Sequence, residues 1–88
     1  MPRYFFHRAD GEFDPDDTGT ELPDLTAART AAIRFAAESV KDSPGRVQPS
    51  HAFRVEVSDD AGMLLCTIVV LELDAPATRG LREPRRQG

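Results

Sequence analysis

The sequence predicts a small α+β domain with the element order ββαββ, in which one helix packs on one face of a small antiparallel sheet. Two turn signals, Asp-Gly at residues 10–11 and Asp-Asp-Ala-Gly at residues 59–62, each follow a short stretch with strand character. Between the two hairpins, residues 25–40 carry apolar side chains at helical spacing. The 88 residues suffice for one folding unit with a modest core.

The first hairpin is predicted from aromatic content and turn chemistry. Residues 3–7 are rich in aromatic side chains, which favour the pleated surface of a sheet. After the turn at residues 10–11, a short return strand is predicted over residues 12–14. Pro15 ends that strand because proline has no amide to donate to a strand ladder. Residues 16–19 are then predicted to form a turn that leads toward the helix.

The helix is predicted to begin after Asp24, whose carboxylate can accept an amide of the first turn, with Thr26 as the competing N-cap. Ser-Pro-Gly at residues 43–45 is predicted to end it. The loop over residues 42–51 is long, and we expect it to be mobile. Seven apolar positions of the helix fall within one broad stripe at 100° per residue; they are Leu25, Ala28, Ala32, Ile33, Phe35, Ala36 and Val40.

The second hairpin is predicted to pair a half-buried strand near residues 53–58 with a last strand over residues 63–73. The last strand is apolar on both faces, whereas one helix can cover only one face of a small sheet. The preferred sheet order is 2-1-3-4 with all neighbours antiparallel, which places the last strand at an edge. Leu64, Cys66, Ile68 and Val70 share one face of this strand, and Met63, Leu65, Val69, Leu71 and Leu73 share the other.

The second of these sets is the predicted interaction surface, formed by Met63, Leu65, Val69, Leu71 and Leu73. A homodimer that packs sheet face on sheet face, or strand edge on strand edge, would cover it. A curled sheet, or the chain's own tail folding back, would cover it as well. We therefore expect a homo-oligomer, specifically a dimer, with a further protein partner as a possibility.

Charge divides the chain into two parts. Residues 1–74 carry a net charge of −7 and residues 75–88 a net charge of +3. Residues 1–74 are predicted to form the domain and residues 75–88 a disordered basic tail, because its prolines and glycines leave no apolar period. An acidic domain repels phosphate backbones, so we expect no nucleic-acid partner unless the tail supplies one.

Three observations predict a cytoplasmic protein without membrane contact. The N-terminus becomes charged at once, unlike a signal peptide. The longest apolar run is far shorter than the roughly 20 residues that a membrane-spanning helix needs. Cys66 is the one cysteine of the chain, which fits a reducing compartment. Its apolar neighbours predict a buried packing residue.

No arrangement of catalytic residues stands out in the sequence, so we predict no catalytic residue, no metal and no cofactor. The acidic stretch over residues 10–21 fits the first positions of a calcium loop but has Leu25 where a bidentate Glu is required. Zinc sites usually need three protein ligands, and the chain has two histidines. The alternative is a small metal-dependent or acid–base enzyme that uses Asp14, Asp16, Asp17 and His7.

Three segments together carry a resemblance to a known family. They are Pro-Arg-Tyr-Phe-Phe-His at residues 2–7 with Asp-Gly at 10–11, Gly-Thr-Glu-Leu-Pro-Asp-Leu at 19–25 with Ala-Ala-Arg at 27–29, and Val-Ser-Asp-Asp-Ala-Gly at 57–62. Their order and spacing resemble a family of short, uncharacterised alphaproteobacterial proteins classed as a domain of unknown function. The resemblance covers roughly residues 2–70. Arg8 departs from it, since the family usually has Val there, and the last strand here is longer and more apolar. The family has no assigned activity, so the resemblance implies no functional residue.

A further likeness is to antitoxin-type proteins of toxin–antitoxin pairs, which also combine a tyrosine-bearing first strand, an Asp-Gly hairpin and Asp-Leu before an alanine-rich helix. We expect this chain to lack their extra strand before the helix and their DNA-binding extension. The likeness implies an antitoxin-like regulatory binding module as an alternative, by fold-level analogy. The sequence as a whole favours a non-enzymatic, self-associating interaction module and leaves enzymatic activity open.

Overall fold

The computed structural model describes residues 1–49 and 51–73, and the predicted basic tail over residues 75–88 lies outside them. The described part forms an α+β fold with one α-helix and an antiparallel sheet, as the sequence predicts. Its elements in chain order are β1 (Arg3–Ala9), β2 (Phe13–Asp14), β3 (Thr20–Glu21), α1 (Leu25–Asp42), β4 (Phe53–Ser58) and β5 (Leu64–Val70).

The sheet has the strand order β2-β1-β4-β5, and every pair is antiparallel. This is the predicted order of the four main strands, with one addition. The turn after β2 leads into β3, which pairs with the start of β1 through Glu21 opposite Arg3 and Thr20 opposite Tyr4. The prediction that the chain lacks a strand before the helix was therefore wrong. A strand of two residues shows no alternation that the sequence could reveal.

The helix packs on the sheet through small side chains. Ala28, Ala32 and Ala36 are almost completely buried, and a spacing of four residues places them on one side of α1. They form one cluster with buried residues of the sheet, of which Phe53, Val55 and Val57 of β4 are completely buried. Because alanine has no side chain beyond Cβ, α1 can lie close to the sheet and cover these three side chains.

The ends of α1 follow the sequence, but one member of its apolar stripe does not. Asp24 is the N-cap, since its Oδ1 accepts the amide of Ala27 at 2.9 Å, and Thr26 lies inside the helix. Ile33 is 55% exposed, so its assignment to the buried stripe was wrong. It lies about 100° around the helix from the buried Ala32, at the margin of the stripe. Ser39, which the stripe omitted, is buried instead.

The segment between α1 and β4 is held by several contacts, although we expected it to be mobile. A 3-10 helix, Pro44–Arg46, follows α1 directly. Gln48 and His51 form an isolated antiparallel bridge. The Arg46 guanidinium donates to a carboxylate oxygen of Asp10 at 2.8 Å. These contacts connect the segment to the tip of the first hairpin.

Candidate functional site

β5 forms an edge of the sheet. It pairs with β4 on one side, and within residues 1–49 and 51–73 no strand pairs with its other side, which we call the β5 edge. Its seven residues include no charged residue and no proline, the devices that usually protect an edge strand. A shift of register between Val57 and Ser58 is its one irregularity. The β5 edge therefore presents backbone groups that a further strand could pair with.

The two faces of β5 have different surroundings. Thr67 and Val69 lie opposite Glu56 and Arg54, on the sheet face away from α1, and both are exposed. On the face toward α1, three side chains pack against the core; they are Cys66, Ile68 and Val70. Cys66 packs against the core as predicted but is only partly buried, whereas the sequence predicted a buried residue.

The predicted interaction surface is largely exposed. Four of its five side chains are more than half exposed; they are Met63, Val69, Leu71 and Leu73. Leu65 differs, because it is half-buried and packs against the core. Leu64 was expected on the covered face, but it too is more than half exposed.

The reason for the exposure of Leu64 is the register shift, which sets Leu64 opposite Ser58 and Cys66 opposite Val57. Leu64 and Cys66 therefore lie on opposite faces although they are two residues apart. The exposed apolar side chains are concentrated along β5 and its continuation through residue 73.

The rest of the sheet face away from α1 is mixed in character. Phe5 stacks on His7 with 6.4 Å between ring centroids, and His7 lies 5.6 Å from the ring of Phe13. Beside this aromatic row, Arg54 and Glu56 form an ion pair with an N–O distance of 3.8 Å. Charged groups in the middle of this face make it costly to bury against a second sheet. The β5 edge is therefore the better candidate for an interface.

His7 and Ser58, which are 51 residues apart in the chain, lie in hydrogen-bond contact. The Nε2 atom of His7 is 2.9 Å from Oγ of Ser58, and Nδ1 accepts the backbone amide of Asp16 at 3.0 Å. Because Nδ1 accepts, the neutral ring carries its proton on Nε2 and donates to the hydroxyl. A general base for a serine needs the opposite polarity, in which Nε2 accepts from the hydroxyl. The pair is thus arranged for structural bonding, not for activating Ser58.

The carboxylate of Asp16 closes the turn that leads into β3. Its Oδ2 accepts the amide of Phe6 at 3.1 Å, and its Oδ1 accepts the amides of Thr18 and Gly19 at 3.0 Å each. Burial raises the pKa of Asp16, but the three amide hydrogen bonds, joined by the charge of His7 when its imidazole is protonated, outweigh burial and hold that pKa below its ordinary value. The ionised carboxylate is therefore part of the fold.

Three other carboxylates of the acidic stretch are engaged by arginines. The ion pairs are Asp14 with Arg8, Glu21 with Arg3 and Asp10 with Arg46. Within the described ranges, no three His, Cys, Asp or Glu side chains come together as a set that could hold a metal ion. Sequence spacing could not reveal these pairs, because each depends on how strands and loops meet in space.

A groove of about 420 Å³ lies between β1, the turn after β2 and α1. Its apolar walls come from Phe6, Pro15, Ala31 and Phe35. At the rim, the Arg8 guanidinium carbon lies 5.8 Å from the ring centroid of Phe35. The volume would admit a small molecule. However, Arg8 already binds the carboxylate of Asp14, so no unpaired cation is directed into the groove from this position.

Comparison with known proteins gives a family but no activity. A family model described as a domain of unknown function matches residues 3–71, a range that includes every strand and the helix. No curated protein and no solved structure matches the chain. The predicted resemblance to a family classed as a domain of unknown function is confirmed. In the described part of the chain, no helix is long and apolar enough to cross a membrane.

Proposed function

We propose that this chain, which belongs to the family described as Domain of unknown function (DUF6894), is a non-enzymatic protein-interaction module. We further propose that it self-associates as a homodimer. The observation that carries the proposal is the β5 edge, an uncharged seven-residue strand side without a partner among the described residues. Such an edge readily accepts a further strand.

The occupant that we propose is β5 of a second copy, in antiparallel pairing. Thr67 is the middle residue of β5, so a two-fold axis there sets Thr67 opposite the same residue of the second copy. Leu65 then lies opposite Val69 of the second copy. Every cross-strand pair is uncharged, and like charges are not brought together in the ladder.

Charge supports the choice of β5 over other surfaces for self-association. Residues 1–74 carry a net charge of −7, so two copies repel each other over most of their surface. A contact centred on an uncharged strand keeps the acidic stretch of residues 10–21 on the far side of the sheet, since β2 and β5 are its opposite edges.

We also infer a cytoplasmic location and a family restricted to alphaproteobacteria, both from the sequence alone.

Light scattering after size exclusion, over a concentration series from micromolar to millimolar, tests this proposal. Val69→Lys places a charge on a side chain that is 52% exposed beside the β5 edge. Ile33→Lys is the matched control, because it makes the same change on α1 at 55% exposure. We expect a dimer for the wild type and the control and a monomer for Val69→Lys. A wild type that is monomeric throughout would overturn the proposal.

A second candidate function is an antitoxin-like regulatory binding module. The observation that favours it is β3, the extra strand before the helix that the likeness calls for. This is a fold-level analogy, so it needs its own test. The test is to co-express the chain with the protein encoded by the neighbouring gene and to analyse the mixture by size exclusion. A stoichiometric complex that Val69→Lys weakens supports this function, and two proteins that elute separately contradict it.

The metal-dependent enzyme is the remaining alternative, with Asp14, Asp16, Asp17 and His7 as its residues. The carboxylates of Asp14 and Asp16 are bound by Arg8 and by backbone amides, and His7 accepts an amide. We therefore assign no activity to this stretch. Calorimetric titration with calcium, magnesium, manganese and zinc should show no stoichiometric binding, and a one-to-one isotherm would revive the alternative.

A further inference from the structure

We propose that His7 is a pH-sensitive latch, which holds the turn of residues 15–19 against the sheet while its imidazole is neutral and releases that turn when the imidazole is protonated. This inference is independent of the β5 edge. It concerns the opposite half of the sheet and would hold for a monomer as well as for a dimer.

The latch depends on which His7 atom meets the turn. The backbone amide of Asp16 can only donate, and it points to Nδ1 of His7 at 3.0 Å. Nδ1 must therefore carry a lone pair. The ring's other nitrogen, Nε2, is occupied by the hydroxyl of Ser58, a buried residue, at 2.9 Å. Both nitrogens thus have fixed partners, and one neutral tautomer satisfies them.

Protonation removes the bond to the turn. In the imidazolium both nitrogens are donors, so Nδ1–H would face the amide N–H of Asp16. Two donors at that distance repel each other, and the contact must open. The nearby acceptor of the same residue is the Asp16 carboxylate, which already binds the amides of Phe6, Thr18 and Gly19.

The charged groups that face His7 come from the turn and from β4. From the turn it faces the carboxylate of Asp16, and from β4 it lies directly opposite Glu56, which pairs with Arg54. The rings of Phe5 and Phe13 flank it and carry no charge. Protonation of His7 therefore costs the bond between Nδ1 and the amide of Asp16.

Three other attachments hold the turn to the sheet. The carboxylate of Asp16 accepts the amide of Phe6 in β1 at 3.1 Å. Arg3 donates to the carbonyl of Thr18 at 3.0 Å, and β3 beyond the turn pairs with β1 over only two residues. Loss of the His7 bond therefore removes one of the few attachments of the turn. We expect local opening of residues 15–19 without unfolding of the core, which lies on the other face of the sheet.

Two NMR measurements on the full chain test the latch. Long-range proton–nitrogen correlation at pH 8 should show His7 with its proton on Nε2. Amide exchange, expressed relative to the intrinsic rate at each pH, should show the protection of the Asp16 amide falling about fivefold on protonation of His7, the factor that corresponds to one ordinary hydrogen bond.

Two variants separate the latch from general acid effects. His7→Gln can still accept the Asp16 amide but cannot titrate, so its protection should not change with pH. His51→Gln removes the other histidine, whose backbone forms the bridge to Gln48, and should behave as the wild type. A proton on Nδ1 at pH 8, unchanged protection in the wild type, or the same loss in His7→Gln would each overturn the proposal.

Discussion

The guanidinium of Arg46 donates to the carboxylate of Asp10 across 2.8 Å, although 36 residues separate the two in the chain. Their side chains are only 29% and 21% exposed. The same guanidinium carbon lies 5.9 Å from the ring centroid of Phe53, a fully buried residue of β4. One ion pair thus joins the tip of the first hairpin, the turn after α1 and the core.

Asp10→Ala should lower the free energy of unfolding by about 1–3 kcal/mol, because it leaves a largely buried guanidinium without its partner. Glu21→Ala is the control, since it breaks the pair of Arg3 and Glu21, whose side chains are 40% and 54% exposed. An exposed pair contributes roughly 0–1 kcal/mol. Urea unfolding measures both, and equal losses would show that burial of the Asp10 pair adds nothing.

Gly19→Ala should be more destabilising than Gly11→Ala. Both glycines have positive φ, 75° and 105°, so alanine is strained at either position by about 1–2 kcal/mol. At Gly19 a Cβ would also lie 2.7 Å from Cγ of Arg3 and 2.8 Å from the ring of Phe5, whereas at Gly11 it meets open space. The added crowding should cost about 1–3 kcal/mol more. Thermal or urea unfolding that ranks the two variants equally would contradict the close approach of the turn to β1.

Ala32→Leu should destabilise the domain by about 1–3 kcal/mol, since its side chain is completely buried between α1 and β4 and a larger one must push them apart. Ala37→Leu is the matched control on the exposed side of the same helix. Its effect should stay within about 0.5 kcal/mol. A stable Ala32→Leu variant would mean that α1 does not approach the sheet through its alanines.

Acid should weaken the fold partly through Asp16. Burial raises the pKa of Asp16 in the folded chain. The hydrogen bonds from the amides of Gly19, Phe6 and Thr18 and the charge of protonated His7 lower it by more, so the pKa lies below its ordinary value. The stabilisation is therefore complete above the unfolded pKa of about 3.9 and is lost as the pH falls through the lower, folded value. Asp16→Asn should show a smaller decrease of stability below about pH 4 than the wild type. Asp17→Asn, an exposed carboxylate of the same turn, should retain the wild-type slope.

Local signals in the sequence predicted most of the main elements. The cap at Asp24, the reversal of the chain at Asp-Gly and the alternation in β4 each depend on neighbours within a few residues. The loop at that reversal is one residue longer than the two-residue Asp-Gly turn, because Ala9 pairs with Phe13. The order of the four main strands also followed, because one helix between two hairpins leaves few antiparallel arrangements. Exposure of most of the predicted interaction surface also followed, because one helix covers only one face of the sheet.

The features that the sequence could not predict are those set by register and by distant contacts. β3 is too short to show a period. The register shift beside Ser58 exposes Leu64, and no turn residue marks it. The bonds of His7 to Ser58 and Asp16 exist because β1 pairs with β4 while the turn folds back on β1. The polar contacts of the acidic stretch are therefore visible only in three dimensions.

The most direct test of the proposed dimer is a disulfide across its two-fold axis. Antiparallel neighbours directly opposite each other lie about 4.5–5.5 Å apart between Cα atoms, within the range of a disulfide. In a Cys66→Ala background, Thr67→Cys should form a covalent dimer under mild oxidation. Arg54→Cys, exposed on the same face but one strand away from the β5 edge, should remain monomeric in a denaturing gel. Absence of the Thr67→Cys dimer, or equal cross-linking of the two variants, would contradict pairing of β5 with itself.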